Sequence, residues 1–232
     1  MDWLLFLTLL PSYLLGKYIY NMDKVEKEPT SLLVKLFIGG IGAILLTIIL
    51  SDLAELFLPV IKTTKTDIKS LIIYNFVGVA LIEEFSKWFF LLICTWKNKN
   101  FNYLFDGIVY GFFVSIGFAT VENFLYVYHT DGGIYVAILR ALLSVPAHAF
   151  FGVFMGYYFG LARMNKNKKK PWLWYFLVSL LLPIVLHGTF DFCLSIGTLT
   201  YTAIYILFVL SLYVLSFKKI KKLSKNDKII VW

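Results

Sequence analysis

The stretch ALIEEFSKWFF, residues 80–90, places two adjacent glutamates and a lysine inside an otherwise apolar run. The run extends from about residue 71 to residue 96, long enough for a helix to cross a bilayer at 1.5 Å per residue. Ionisable groups at that depth are costly unless they pair, face water or change protonation. Glu83 and Lys87, at positions i and i+4, can pair on one helical face, whereas Glu84 points about 100° away. A second buried carboxylate beside such a pair indicates more than a structural ion pair.

The composition indicates an all-α, polytopic helical membrane protein. Of the 232 residues, 59% are hydrophobic and 16% are charged, and the mean hydropathy is +0.77. Soluble domains average about 45–50% apolar and about 25% charged residues. The net charge of +8 comes from lysines in short loops and in the tail. This is a topology signal, so we expect no nucleic-acid partner.

Apolar runs predict a bundle of about seven transmembrane helices. The expected spans are roughly 3–21, 31–58, 71–95, 106–128, 134–162, 172–193 and 198–217. No internal repeat or second domain is recognisable, so residues 1–232 are interpreted as one integral membrane domain. Its core covers about residues 70–195, and a basic tail occupies residues 218–232.

The distribution of lysine and arginine predicts the orientation in the membrane. With the N-terminus outside, seventeen of these residues lie on the inner side and four on the outer side. The prediction is therefore an external N-terminus and a cytoplasmic C-terminus. The basic tail is expected near anionic lipid head groups of the bilayer.

Small residues predict where helices approach closely. Gly152, Gly156 and Gly160 form a stripe in the fifth span, and Gly107 with Gly111 form a shorter one in the fourth. Such stripes permit tight backbone contact in a membrane bundle. We interpret both stripes as packing surfaces.

Four spans carry ionisable groups away from their ends. Isolated charges would oppose insertion, so the least costly arrangement brings them together in one water-filled cavity. In the predicted topology this cavity lies in the middle to outer half of the bilayer. The candidate residues are Glu83, Glu84 and Lys87 of the third span, Glu122 and Asn123 of the fourth, Arg140 and His148 of the fifth, and His187 and Asp191 of the sixth.

These residue types suit acid–base chemistry on a water molecule. His187 and Asp191, at positions i and i+4, share one helical face and can form a hydrogen-bonded pair or point donors at an oxyanion. One of the three glutamates can act as general base, but the sequence does not decide which. The motifs GxSxG and HExxH are absent. We expect no cofactor, although His148, His187 and the carboxylates are competent metal ligands and a catalytic metal is an alternative.

Two other functions are compatible with a polar cavity. In a proton-coupled transporter, the glutamates and His187 would form a relay. Such a protein often has repeated halves, which this sequence lacks. A non-catalytic scaffold that binds a membrane partner is the third interpretation.

The motifs also match a known family. The segments Glu83-Glu84-x-x-Lys87, Phe118-x-x-x-Glu122-Asn123 and His187-x-x-x-Asp191, with His148 between them, resemble the successive motifs of the PrsW intramembrane proteases. That family is similar to the wider group of CAAX prenyl endopeptidases and bacterial CPBP (Abi) proteins. The resemblance covers about residues 70–195.

The resemblance implies a CAAX-endopeptidase-like core and a glutamate-dependent protease in the bacterial cell membrane. Its substrate would be a single-span anti-sigma factor, cut on the extracytoplasmic side to free a sigma factor during envelope stress. By motif, Glu83 or Glu84 is the base and Glu122 stands where the CAAX endopeptidases have a water-holding histidine. His187 and Asp191 correspond to the oxyanion pair. His148 completes the catalytic set, and Lys87 and Asn123 support it.

Overall fold

The computed structural model describes residues 3–57, 67–130, 132–166, 168 and 171–230. Within these residues the chain forms seven long helical segments. The first two are α1 (Trp3–Met22) and α2 (Thr30–Phe57). The third joins α3 (Ile68–Ile72), a first π-helical segment (Ile73–Leu81) and α4 (Ile82–Thr95). The fourth is α5 (Leu104–His129). The fifth joins α6 (Gly133–Leu139), a second π-helical segment (Arg140–Ser144) and α7 (Val145–Asn165). The last two are α8 (Trp172–Ile196) and α9 (Leu199–Lys225).

The observed segments confirm the predicted all-α architecture. Six of them are long and apolar enough to cross a membrane. The third segment contains the charged Glu-Glu-x-x-Lys motif and still forms a continuous helical rod from Ile68 to Thr95. Most ends agree with the predicted spans to within a few residues. The connection between the second and third spans, with its two lysines at 62 and 65, lies outside the described residues.

Local sequence signals explain several helix ends. Asp106 accepts hydrogen bonds from the backbone N–H groups of Asn102 and Tyr103, which caps the start of α5. Gly197 ends α8 with φ of +66°, a conformation that favours glycine. The next residue, Thr198, caps α9 through its side chain.

Helix α5 lies at the centre of the bundle, and most of its residues are buried. It packs against α7, α2 and α1, while α8 packs against α7 and the first π-helical segment. Helix α9 covers the outside of α7 and α8. Apolar side chains such as Leu45 of α2 and Leu207 of α9 point outward, as expected for a surface that faces lipid.

The α5–α7 contact uses the predicted glycine stripes. A methyl group at Gly156 would lie 1.9 Å from the carbonyl oxygen of Gly107, and one at Gly111 would lie 2.4 Å from that of Gly152. No side chain fits such a gap, so the two backbones touch directly. This contact joins the helix that carries Glu122 to the helix that carries His148.

The C-terminal segment closes one end of the bundle. Leu104 donates its backbone N–H to the carbonyl of Lys228, and Ile230 donates to the carbonyl of Asn102. The carboxylate of Asp227 accepts from the N–H of Phe105. The tail is thus tied to the start of α5, at the end away from Glu122.

Candidate active site

A cavity of about 220 Å³ lies between the first π-helical segment, the start of α4, α5, the second π-helical segment, α7 and α8. Its wall contains the ionisable residues Glu83, Glu122, Arg140, His148, His187 and Asp191. A larger groove of about 580 Å³ between α1, α2 and α5 is almost entirely apolar. The smaller cavity is therefore the candidate active site.

The two π-helical segments lie directly before site residues. The first ends two residues before Glu83, and the second ends four residues before His148. π-Helical turns inside α-helices frequently occur at functional sites, since the extra residue per turn rotates the side chains that come after it. Pro146 lies in the first turn of α7, inside the continuous fifth segment, and cannot donate a backbone N–H to the preceding turn. The hydroxyl of Tyr213 donates instead to the carbonyl of Leu142, four residues before Pro146.

Glu84 and Lys87 lie at the innermost part of the site, and both side chains are fully excluded from solvent. Lys87 Nζ lies 2.7 Å from Glu84 Oε1 and 3.5 Å from Glu83 Oε2. The pairing expected at i, i+4 is therefore present, but the closer partner of Lys87 is Glu84 at i, i+3. The ammonium group also lies 4.0 Å from the ring centre of Phe118.

His148 lies between a cation and a carboxylate. Lys87 Nζ is 3.0 Å from His148 Nδ1, and Glu122 Oε2 is 2.9 Å from His148 Nε2. Because the ammonium group can only donate, Nδ1 acts as acceptor and the Nε2–H donates to Glu122. These two contacts fix the tautomer and the orientation of the ring.

His187 lies between two carboxylates. Its Nδ1 is 2.8 Å from Glu84 Oε1, and its Nε2 is 3.1 Å from Asp191 Oδ2. Phe151 stacks on the ring at a centroid distance of 5.2 Å. The i, i+4 pair expected between His187 and Asp191 is present, and Asp191 lies at the more exposed mouth of the cavity.

Arg140 contacts both Glu122 and Asn123 on the α5 side of the cavity. Its Nη2 lies 2.7 Å from Glu122 Oε2, and its Nε donates to Asn123 Oδ1 at 3.2 Å. The guanidinium group lies over the ring of Tyr126 at 4.0 Å. Asn123 in turn donates to the backbone carbonyl of Thr8, which anchors α1 beside the site.

The structure brings the eight residues that were assigned a catalytic or supporting role into one network, together with the ninth candidate, Arg140. Glu83, Glu122, His148, His187 and Asp191 line the cavity. The other three, Glu84, Lys87 and Asn123, lie behind this wall and hold its side chains.

Sequence reasoning did not assign roles to several cavity residues. Arg140 was recognisable in the sequence as an ionisable group inside a span. Its pairing with Glu122 was not predictable, because that pairing depends on how two helices pack. Asn75 and Ser195, which share a hydrogen bond of 3.1 Å at the rim, had no distinguishing sequence signal. The aromatic rings of Tyr126 and Phe151 are indistinguishable by sequence from lipid-facing aromatics.

The cavity also contains a candidate metal site. One ligand atom from each of Glu83, His148 and His187 lies within 4.8 Å of the others. Glu83 Oε2 is buried and has no hydrogen-bond partner. Two histidines and one glutamate are a common ligand set for catalytic zinc, so the residue types fit a metal ion. Its binding would require His148 Nδ1 to leave Lys87 and His187 Nε2 to leave Asp191.

The fold and the site together define a class of protein. A helical bundle with a small polar cavity lined by buried glutamates and histidines is compatible with a hydrolase that works inside a membrane, one of the three interpretations of the sequence.

Comparison with known proteins specifies the family. A family model described as PrsW family intramembrane metalloprotease matches residues 28–216. Protease PrsW of Oceanobacillus iheyensis is 36% identical over 93% of this chain and 94% of its own length. Protease PrsW of Geobacillus kaustophilus is 38% identical over 79% and 76%, and that of Clostridioides difficile is 33% identical over 97% and 93%. No solved structure shows a significant match. The chain belongs to the PrsW family and is a multi-pass intramembrane protease.

Proposed function

We propose that the cavity hydrolyses a peptide bond of a single-span membrane protein of the anti-sigma factor type, on the extracytoplasmic side of the membrane. Cleavage would start the regulated proteolysis that activates a sigma factor in envelope stress. The observation that carries the proposal is the convergence of Glu83, His148 and His187 in one polar cavity of a PrsW-family bundle.

Glu83 is the residue proposed to activate the attacking water. Its side chain lines the cavity, whereas that of Glu84 does not, and its Oε2 lies 3.5 Å from Lys87 Nζ and 3.9 Å from His187 Nε2. A carboxylate so placed can accept a proton from water and return it to the leaving amine. Glu84 is proposed as a positioning residue, because its Oε1 already lies within hydrogen-bond distance of Lys87 and His187.

His187 and Asp191 are proposed to act at the carbonyl oxygen of the substrate. The Nε2–H of His187 lies at the cavity, within hydrogen-bond distance of Asp191 Oδ2 at 3.1 Å. On substrate binding it would leave this carboxylate and donate to the oxygen that becomes negative in the transition state. Glu122, fixed by Arg140 and His148, occupies the opposite wall and orients His148.

A metal ion would be held by Glu83, His148 and His187. Bound there, a zinc-type ion would supply a Lewis acid that lowers the pKa of a water molecule. The contacts of His187 with Glu84 and of His148 with Glu122 are of the kind that orients metal-ligating imidazoles. Under either chemistry, Glu83 is the glutamate proposed to lie nearest the attacking water.

The proposed orientation places the N-terminus outside and the C-terminus in the cytoplasm, following the positive-inside bias of the sequence. The ends of α5 and α8 that carry Glu122 and Asp191 then lie on the outer side. The substrate segment must arrive unwound, since a helix hides its carbonyl groups in its own hydrogen bonds.

The proposal is tested by Glu83→Gln in the full-length protein, reconstituted with a tagged single-span candidate substrate and followed by mass spectrometry. We expect cleavage to fall by about 10²–10⁴-fold, the usual contribution of a positioned acid–base group. Glu84→Gln should lose less, about 10–100-fold, as expected for a group that acts through others.

Asp52→Asn serves as the matched control, because it removes a carboxylate from an exposed position of α2. Each variant is compared in thermal stability before activity is read. A strong chelator followed by added Zn²⁺ separates direct glutamate chemistry from metal-assisted chemistry. If Glu83→Gln is stable and cuts like wild type, the assignment of Glu83 is wrong.

A further inference from the structure

A second cleft lies at the opposite end of the bundle from the candidate active site. Its volume is about 400 Å³, and it is formed by the start of α5, the last turns of α7, the end of α9 and the C-terminal segment. Leu104, in its wall, is eighteen residues before Glu122 on α5, which is about 27 Å along the helix. The cleft therefore shares no wall with the site described above.

Four lysines line this cleft: Lys218, Lys219 and Lys222 of α9, and Lys228 of the C-terminal segment. Within the described residues, none of these ammonium groups forms an ion pair with a carboxylate. The neighbouring carboxylate, that of Asp227, accepts from the backbone N–H groups of Phe105 and Lys228. Four uncompensated positive charges around one cleft favour an anionic ligand.

The remaining wall of the cleft is apolar. Tyr157 and Leu161 of α7 face it, and Leu215 of α9 is 56% exposed at its edge. Lys219 Nζ lies 3.6 Å from the ring centre of Tyr157, so the aromatic ring marks the boundary between the two parts. A small soluble anion would contact only the lysines of the cleft. A lipid has both an anionic and an apolar part, so it can contact the lysines and the apolar wall together.

The depth of the cleft agrees with a lipid ligand. Lys218 is the first charged residue after the apolar run of α9, which begins at Leu199. The change from apolar to basic residues therefore falls at the level where a bilayer changes from acyl chains to head groups. Basic pockets between transmembrane helices at this level are typical binding sites for anionic head groups.

We propose that this cleft binds one anionic phospholipid. The lysines of α9 and Lys228 contact its phosphate, and an acyl chain lies against Tyr157 and Leu215. The bound lipid would bridge α7, α9 and the C-terminal segment, which are otherwise joined at this end by few polar contacts. The lipid site does not depend on the catalytic assignments.

Two pairs of lysines on α9 provide a matched test. Lys218 and Lys222 line the cleft, whereas Lys221 and Lys225 are exposed on the same helix and do not line it. Both pairs have i, i+4 spacing, and both double variants, Lys218→Gln with Lys222→Gln and Lys221→Gln with Lys225→Gln, remove two charges. Native mass spectrometry of the full-length protein, titrated with phosphatidylglycerol or with phosphatidylcholine, measures the binding.

We expect wild type and the Lys221/Lys225 variant to bind phosphatidylglycerol in preference to phosphatidylcholine. The Lys218/Lys222 variant should bind it about 25-fold more weakly, since each lysine near an anionic surface contributes about fivefold. The charge-preserving variant Lys218→Arg with Lys222→Arg should retain binding, which excludes a folding defect.

Three results would overturn the proposal. Equal losses in the two glutamine pairs would indicate non-specific attraction to an anionic surface. Unchanged binding in both would show that the cleft is not the site. Competition by inorganic phosphate or glycerol phosphate at the concentration of the lipid would indicate a site for a soluble anion.

Discussion

The protein buries two groups of carboxylates, one at each end of α5, and they are balanced in different ways. At the candidate active site, Glu83, Glu84 and Glu122 lie among Lys87, Arg140 and two histidines. At the other end, Asp23, Glu28, Asp106 and Asp227 form no ion pair within the described part of the chain. Similar acidic clusters thus have different partners.

At the second end the partners of Asp106 and Asp227 are backbone groups, whereas Asp23 Oδ2 and Glu28 Oε2 are buried without a hydrogen-bond partner among the described residues. Asp106 accepts from two N–H groups at the start of α5, and Asp227 accepts from those of Phe105 and Lys228. In the connection between α1 and α2, burial raises the pKa of Asp23 to about 6 and that of Glu28 to about 7. The hydrogen bonds of this cluster hold chain segments together. Because the pKa values of Asp23 and Glu28 are raised, these two carboxyl groups keep their protons at pH values where exposed carboxyl groups are ionised.

Acidic residues alone therefore do not mark a catalytic centre in a membrane protein. The active-site end is distinguished by its set of cationic and imidazole partners. They can compensate carboxylate charge in the membrane beside a polar cavity, and Glu83, Glu122 and Asp191 lie in the wall of that cavity. Substitutions at the two ends of α5 test this distinction.

The largest effect is expected from Lys87→Met. The variant leaves the fully buried Glu84 without its ammonium partner, and removing one member of a buried ion pair costs about 3–5 kcal/mol. We expect a marked loss of thermal stability in detergent, measured by tryptophan fluorescence, together with loss of cleavage.

Adding Glu84→Gln to Lys87→Met is the informative control. It removes the uncompensated charge, so part of the stability should return while cleavage does not. If Lys87→Met alone is as stable as wild type, the ammonium group is not what balances the buried glutamates.

A smaller effect is expected from Arg140→Gln at the cavity wall. Arg140 fixes Glu122, and loss of such an orienting partner usually costs 10–100-fold in activity, so we expect a loss of about that size. Arg140→Lys keeps the charge but not the second contact with Asn123, and its activity should fall between those of wild type and Arg140→Gln. The ratio kcat/KM for the tagged substrate measures this order, and an Arg140→Gln enzyme with wild-type kcat/KM would contradict it.

The smallest effect is expected from Glu28→Gln at the second cluster. Because the folded-state pKa of Glu28 is above its ordinary value of 4.5, the folded protein retains a proton that the unfolded chain releases. Stability should therefore fall as pH rises from about 4.5 to about 7. At pH 8 the variant avoids the cost of a buried carboxylate, so we expect its unfolding midpoint to be higher by roughly 2–4 °C.

At pH 5 the Glu28→Gln variant and wild type should unfold at nearly the same temperature, and cleavage should be unchanged at both pH values. Thermal scans at a series of pH values measure the difference. If the stability of the variant falls between pH 5 and pH 8 by as much as that of wild type, Glu28 does not hold the proton.

Much of the fold was predictable because lipid imposes a simple rule on sequence. A spanning segment must be apolar and helical, so the seven spans could be placed within a few residues. The two glycine stripes were likewise predictable as packing surfaces, but the sequence did not show that Gly107 and Gly156 meet each other. The π-helical segments were not, since Ile73–Leu81 is as apolar as any neighbouring turn and the extra residue per turn has no composition of its own.

The members of the site were easier to predict than their roles. Ionisable residues inside spans are conspicuous, so the nine candidates were identified together. Glu83 and Glu84, however, are adjacent and chemically identical, and only packing separates the one that lines the cavity from the one that lies behind it. The pairing of Arg140 with Glu122 depends in the same way on how two spans meet.

The glycine contact between α5 and α7 has a consequence for how a substrate enters. Because carbonyl oxygens of one helix fill the space where side chains of the other would stand, neither helix can slide or rotate without a backbone collision. The α5–α7 contact therefore fixes the positions of Glu122 and His148 relative to each other. Entry of a polypeptide would therefore come from displacement of the second π-helical segment, which lines the cavity and has no such glycine contact in the described residues.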